Sequence, residues 1–431
     1  MNETIPFPAP TQEQLIALAG QFADEEGTVL LLSGGNRPTT EKSFLGLFPR
    51  EIVTIPARHQ FSNPWAHLIN HTNKGKWFGF LEYELGRWSV PGVKIPQRSS
   101  GGDLAFFVRP GLVLEVNHKT DTAYVLFDDL SFRESKLLVD IIKGEYNYWE
   151  PKRNFHSLSS KRGMVSPESY YQQLETVLEW IKAGETYQVN ISHQFDLHGV
   201  CHPYSLFTHM FLANPPPFAA YIHTKNRSIA SLSPERFLKL KDGILESRPI
   251  KGTSPRGSTP EEDRRHLQYL QHSIKEQAEL LMITDLMRND LSKVCLPGSV
   301  EVPHLRIIEG YKNVFHAYSV VQGQALPDKI PLELLYDCFP AGSITGCPKG
   351  RAMELIDLLE QRPRGIYTGA IGWMDASSGE CDFNVAIRTL DIRENAVSIQ
   401  LGGGITIDSD PAAEYMETMY KGQTFFKVLG I

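Results

Sequence analysis

The chain has 431 residues, 41% hydrophobic and 22% charged, with 43 Lys and Arg against 50 Asp and Glu for a net charge of -7. This describes a globular protein long enough for one large core or two, and it argues against a broad basic surface for nucleic acid. No apolar run reaches the roughly 18 to 20 residues that span a bilayer, the opening MNETIPFPAP lacks the order of a signal peptide, and five scattered cysteines form no C-x-x-C pair, so a cytoplasmic protein without zinc or a disulfide framework is expected.

In residues 1–150, short apolar runs alternate with turn residues, and Thr28–Ser33, Trp77–Tyr83 and Ala123–Asp128 read as strands. The polar, basic stretch Pro151–Gly163, with Lys152, Arg153, Lys161 and Arg162, reads as a solvated link to a second region spanning 164–431. Ser166-Pro167-Glu168 then starts a helix that runs to about Lys182 and stops at Gly184. Strands are expected at Thr186–Ser192 and Ala219–His223, and a hairpin of Phe237–Lys241 with Ile244–Ser247 turning at Asp242-Gly243. Thr259-Pro260-Glu261-Glu262 predicts a capping box opening one long helix, with Leu267, Leu270, Ile274, Ala278 and Leu281 on its apolar face. A helix from Pro348 to Glu360 comes next. Gly365–Met374 and Asn384–Ile392 then read as strands paired around an SSGE turn, followed by a strand Ala396–Leu401 and a last helix from Asp410-Pro411. Strands interleaved irregularly with long helices predict an α+β fold with large antiparallel sheets.

Several segments could carry chemistry. Lys251, in Arg248-Pro-Ile-Lys-Gly-Thr253, is by itself more often a surface charge than an amine nucleophile. A nucleophilic role needs a depressed pKa, which Arg248 and Arg256 or desolvation could supply. Glu276 with Glu279, and Glu414 with Glu417, are carboxylate pairs three residues apart on two helices, so each pair shares a helix face. Each pair alone fits a solvated face. Both together would suit Mg²⁺, which prefers oxygen ligands. Gly402, Gly403 and Gly404 close a strand and could expose backbone N–H groups to a carboxylate, or simply turn. Gly342-Ser-Ile-Thr-Gly-Cys-Pro-Lys349 places hydroxyls in a glycine loop but lacks P-loop spacing, and Cys347 reads as a structural thiol.

In order, the segments RPIKGT, EQAELLMITDLMRNDLS, FPAGSITGCPKGRAMELI, RGIYTGAIGWMD, DFNVAIRTL and LGGGITIDSDPAAEYMETMYK resemble the chorismate-utilising enzymes, from about Ser166 to Ile431. WFGFLEYELGR extends a weaker likeness into residues 1–150. That family includes anthranilate synthase component I, aminodeoxychorismate synthase component I, and the isochorismate and salicylate synthases. The resemblance implies large antiparallel sheets packed in a sandwich with surrounding helices. It implies Mg²⁺ as cofactor, held by Glu279 and Glu417 with Glu276 and Glu414 behind them. Tyr367 and Arg388 stand at the positions that bind the enolpyruvyl carboxylate, and Gly402, Gly403 and Gly404 at a carboxylate cradle. Gly252 and Thr253 would line the ring, with His316 and Lys421 near the substrate. Glu235 in LSPERF matches the general acid for the leaving hydroxyl.

Two positions separate members of the family. Gln188 stands where the hydroxylating enzymes resemble one another in carrying a water-activating lysine. At Lys251, anthranilate synthases usually have alanine, whereas lysine marks the enzymes that aminate C4. The resemblance therefore implies a transferase that makes 4-amino-4-deoxychorismate, on the route to 4-aminobenzoate and folate, from chorismate and ammonia. A separate glutamine amidotransferase subunit would deliver the ammonia, and anthranilate synthase component I is the alternative. Leu280, where many relatives have histidine, and Cys347, where alanine is common, depart from the pattern.

Overall fold

In the computed structural model, residues 3–34, 41–145, 149–152 and 166–430 are described. Several strands are buried along their whole length, among them Lys76–Leu81 and Arg227–Ser233, so both of their faces must be covered. The covering is achieved by folding one antiparallel sheet back on itself. The hinge is a pair of long strands, Lys42–Ile55 and Ala105–Asn117, which pair along their whole length with one register shift between Pro49 and Glu51.

From the Leu112–Asn117 end of this pair the sheet extends outward to Thr122–Phe127 and Glu3–Phe7. From Lys42–Ile55 it extends through Val29–Leu32, Phe218–Thr224, Arg227–Ser233, Thr389–Arg393, Ala396–Ile405 and Gln188–His198. A second arm leaves the Ala105–Val108 end through Lys76–Leu81, Ala370–Asp375, Glu380–Val385, Arg236–Lys241, Ile244–Arg248 and Val314–Gln324. Ile250–Pro255 and Glu301–Gly310 both join Val314–Gln324. Strands from before residue 150 thus pair directly with strands from after residue 164: Val29–Leu32 with Phe218–Thr224, and Lys76–Leu81 with Ala370–Asp375.

The two arms face each other across an apolar layer. Val29, Phe44 and Ile222 of the first arm pack with Phe78, Phe80 and Ile371 of the second, and the Phe44 ring centroid lies 5.4 Å from Phe78 and 5.1 Å from Trp373. Helices Gln12–Gly20, Pro203–Ala213 and Pro411–Leu429 cover the outer face of the first arm. Pro64–His71, Ile274–Ser292 and Pro331–Cys338 cover that of the second. This is the expected α+β sandwich. Among the described residues, no helix is long and apolar enough to cross a membrane.

Three local expectations change. The long helix after Thr259 is two helices, Pro260–His272 and Ile274–Ser292, broken at Ser273, whose hydroxyl accepts from the Glu276 N–H of the second. The expected apolar face breaks with it: Leu270 is buried, but Ile274 is 83% and Leu281 55% exposed. Thr259 caps as expected, yet Glu262 reaches back to Ser258 rather than to Thr259, so the box does not close. The expected strand Asn384–Ile392 is interrupted. Glu380–Val385 pairs with Ala370–Asp375, and after a turn Thr389–Arg393 joins the other arm. The link at Pro151–Gly163 lies mostly outside the described residues, with Arg153, Lys161 and Arg162.

Candidate active site

The interruption just described carries Arg388, which has a left-handed backbone, φ 52°. A non-glycine residue accepts that region at a cost, and such costs concentrate where a side chain must be aimed. Here its chain turns from one sheet arm to the other, and its carbonyl accepts from the Leu232 N–H. The guanidinium points into a cleft of about 740 Å³. Burial lowers its pKa to about 10, and the charge of Glu235 does not make up the difference. Among the described residues it has no ion-pair partner.

Around it stand side chains from distant parts of the chain. Ile250–Pro255 brings Lys251, Gly252 and Thr253. Thr253 sits opposite His316 in the ladder, and its hydroxyl lies 2.9 Å from His316 Nδ1. Burial, then Arg388 and Lys421, push the His316 pKa well down, so its imidazole is neutral. Gly252 has φ 93°, and a Cβ there would lie 2.9 Å from Leu270 and 3.1 Å from Glu276 Oε2, so only glycine fits. Glu235 is 4% exposed and accepts from the Ser343 hydroxyl at 2.5 Å. Burial outweighs that bond and raises its pKa to about 7.

Gly402, Gly403 and Gly404 lie within the strand Ala396–Ile405, paired with Ser192, Ile191 and Asn190. The Gly402 carbonyl accepts from Lys421 Nζ at 3.0 Å, so its backbone groups turn away from the paired strand, and alternation turns those of Gly404 the same way. A Cβ on Gly402 would lie 2.5 Å from the Tyr367 hydroxyl, and one on Gly404 2.7 Å from Lys251 Nζ. Gly402 and Gly404 line the cleft with Tyr367, Glu417 and Lys421, whereas Gly403 does not. It backs onto Glu414, whose carboxylate would lie 3.3 Å from a Cβ there.

The four glutamates come from the first turns of two helices. The break at Ser273 puts Glu276 and Glu279 near a helix start rather than at mid-helix. Glu279 Oε2 accepts from Lys251 Nζ at 3.0 Å, and Glu417 Oε1 lies 2.8 Å from Lys421 Nζ. Ser409 donates to Glu414 Oε1 at 2.7 Å. The Lys421 charge lowers the Glu417 pKa to about 2, whereas burial, then Glu279 and Glu417, raise that of Glu276. Among the described residues, no three acidic, histidine or cysteine side chains are arranged to hold a metal ion. The donor chemistry, four carboxylates from two adjoining helix starts, suits a hard divalent cation, with lysines as their present counter-charges.

The expected source of a depressed Lys251 pKa is corrected. Arg248 pairs with Glu246 and Arg256 with Asp263. Burial does pull the Lys251 pKa down, but Glu279, Glu417 and Glu414 together outweigh it and the net shift is upward. Two polar residues at the cleft lie beyond the sequence reading, Asn190 and Gln400, while Ser343 belongs to the glycine loop whose hydroxyls that reading singles out. Asn190 follows Gln188 by two, and Gln400 precedes Gly402 by two, so strand alternation points to both. Gln188 itself is fully buried, its two amide atoms without a hydrogen-bond partner among the described residues, with Nε2 2.8 Å from where a Gly404 Cβ would stand.

Residues 34–427 match the family of chorismate binding enzymes. The chain belongs to that family. Among its relatives, aminodeoxychorismate synthase component 1 of Salmonella typhimurium is 42% identical over 62% of this chain and 59% of its own length. The Escherichia coli protein of that name is 36% identical over 83% and 77%. Anthranilate synthase component 1 of Saccharolobus solfataricus is 32% identical over 83% and 81%. The chain spans about a third of the length of the chloroplastic aminodeoxychorismate synthases of rice and Arabidopsis thaliana, 31% and 37%. Anthranilate synthase component I of Streptococcus pneumoniae has the same fold, with a TM-score of 0.77, 25% identity and coverage of 92% of this chain and 95% of that one.

Proposed function

We propose that the protein is the chorismate-aminating component of an aminodeoxychorismate synthase, a cytoplasmic transferase that converts chorismate and ammonia to 4-amino-4-deoxychorismate and water. One observation carries the reading: Lys251 Nζ reaches the cleft that also holds the raised carboxyl of Glu235 and the unpaired Arg388. Relatives of that name, 36 to 42% identical, support it.

In this reading Arg388 and Tyr367 hold the enolpyruvyl carboxylate, where a guanidinium suits two oxygens. The Lys251 amine, once its proton is gone, forms a bond to C2 of the ring. Both ring double bonds shift, C1=C2 to C1=C6 and C5=C6 to C4=C5, and the C4 hydroxyl leaves as water with the proton that Glu235 holds near neutrality. Ammonia then bonds to C4, both double bonds return, and the C2–N bond breaks to free the lysine. Attack requires the lysine to give up its contact with Glu279. Glu279 and Glu417 would hold Mg²⁺, with Glu276 and Glu414 behind, and the ion would supply Lewis-acid polarisation of the ring carboxylate. Gln188 in place of a basic lysine leaves no side chain there to activate water. A separate glutamine amidotransferase subunit would supply the ammonia.

The test is product identity. With chorismate, Mg²⁺ and ammonium, followed by a lyase that removes pyruvate, the protein should yield 4-aminobenzoate. Fluorescent anthranilate without the lyase would move the assignment to anthranilate synthase component I. Isochorismate formed without ammonium would overturn the reading of Gln188. Binding of chorismate without turnover would leave a binding subunit. Lys251→Ala should remove any covalent chorismate adduct seen by whole-protein mass spectrometry, and an adduct of unchanged yield would end the nucleophile role.

A further inference from the structure

A third ammonium stands among the four glutamates. Lys275 precedes Glu276, and its Nζ lies 3.8 Å from Glu279 Oε1 and 3.5 Å from Glu414 Oε1. The same two oxygens receive the hydroxyls of Thr406, at 3.4 Å, and Ser409, at 2.7 Å. Lys275 therefore joins the start of helix Ile274–Ser292 to the start of helix Pro411–Leu429. It differs from the other two lysines in its freedom. The Lys275 side chain is 39% exposed, against 15% for Lys251 and 27% for Lys421, so its flexible stem can leave for solvent without moving the sheet.

We propose that Lys275 is a built-in counter-ion of this carboxylate site: it bridges the two glutamate pairs when no divalent cation is present, and it gives up Glu279 and swings outward when one binds at Glu279 and Glu417. The inference rests on the metal assignment above. Buried carboxylates from two helix starts repel one another unless a cation is shared between them. A tethered monovalent cation meets that need at little entropic cost, but a small divalent ion takes oxygens at about 2.1 Å and cannot share them with an ammonium. Lys275 would therefore compete with the metal, weakening its hold and keeping the empty site assembled.

The test uses the full chain, with Mn²⁺ binding followed by the loss of its free electron-spin signal, Mg²⁺ binding by calorimetry, and unfolding temperature in chelator. Lys275→Gln should tighten Mn²⁺ binding on the order of tenfold and lower the unfolding temperature in chelator. Lys275→Arg, which keeps the charge, should stay near the parent protein in both. Unchanged or weakened Mn²⁺ affinity in Lys275→Gln, or an unchanged unfolding temperature in chelator, overturns the proposal. A parent chain that binds neither ion overturns it together with the metal assignment. Metal binding as expected without any aminated product removes only the catalytic reading.

Discussion

Three arginines among the described residues are fully buried in this protein, and their pairing contrasts with that of Arg388, half-buried at the cleft. Arg227 meets Glu82 at 2.7 Å and Asp391 at 3.1 Å, Arg236 meets Glu246 at 2.8 Å and Asp382 at 3.0 Å, and Arg364 meets Glu360 at 2.8 Å. In each, burial pulls the pKa down but the carboxylates outweigh it and the net shift is upward. Among the described residues Arg388 has no such carboxylate, and its pKa falls to about 10. The first three complete their electrostatics within the fold. The fourth is left short of one negative charge, and a carboxylate ligand would supply it.

The contrast predicts opposite penalties. Arg388→Met should lower kcat/KM by about a thousandfold, the loss of a charge-assisted contact worth roughly 4 kcal/mol, while leaving the unfolding temperature unchanged or higher. A fall in stability comparable to that of a paired arginine would erase the distinction. Arg364→Met should do the reverse. It strands the buried Glu360 and should cost about 3–5 kcal/mol in urea unfolding, and a loss under about 1 kcal/mol would show that its pairing is incidental. Glu235→Gln comes next, with a loss of about a hundredfold in rate. Because the folded Glu235 has a pKa raised from 4.5 to about 7, the proton it would donate is present below that value. Activity should therefore decline as pH rises through about 7, and the variant should lack that limb. The same group favours folding fully below 4.5, and this contribution fades as pH rises to about 7, so the stability profile of the variant should be flatter there. An unaltered falling limb in Glu235→Gln would move the acid role elsewhere.

Much of this was legible because the informative segments are local. The strand, turn and cap signals around Ser166, Asp242-Gly243 and Asp410-Pro411 depend on neighbours in the chain, and the structure follows them. What was not legible depends on contacts made across the fold. Ser273 ends one helix by capping the next, and nothing in the apolar spacing of Leu267 to Leu281 marks that choice. The split at Ala386–Arg388 arises because the flanking strands belong to different arms. The Lys251 pKa was misjudged for the same reason: Arg248 and Arg256 are near in sequence, but Glu279, 28 positions away, holds the amine.

The shared sheet has a consequence for any shortened form of the chain. Removing the residues before 150 would strip Val29–Leu32 from Phe218–Thr224 and Lys76–Leu81 from Ala370–Asp375. Two apolar, nearly fully buried strands would then present open backbone edges to water, in the arrangement that recruits strands from other molecules. Such a fragment should retain every residue that lines the cleft and still precipitate.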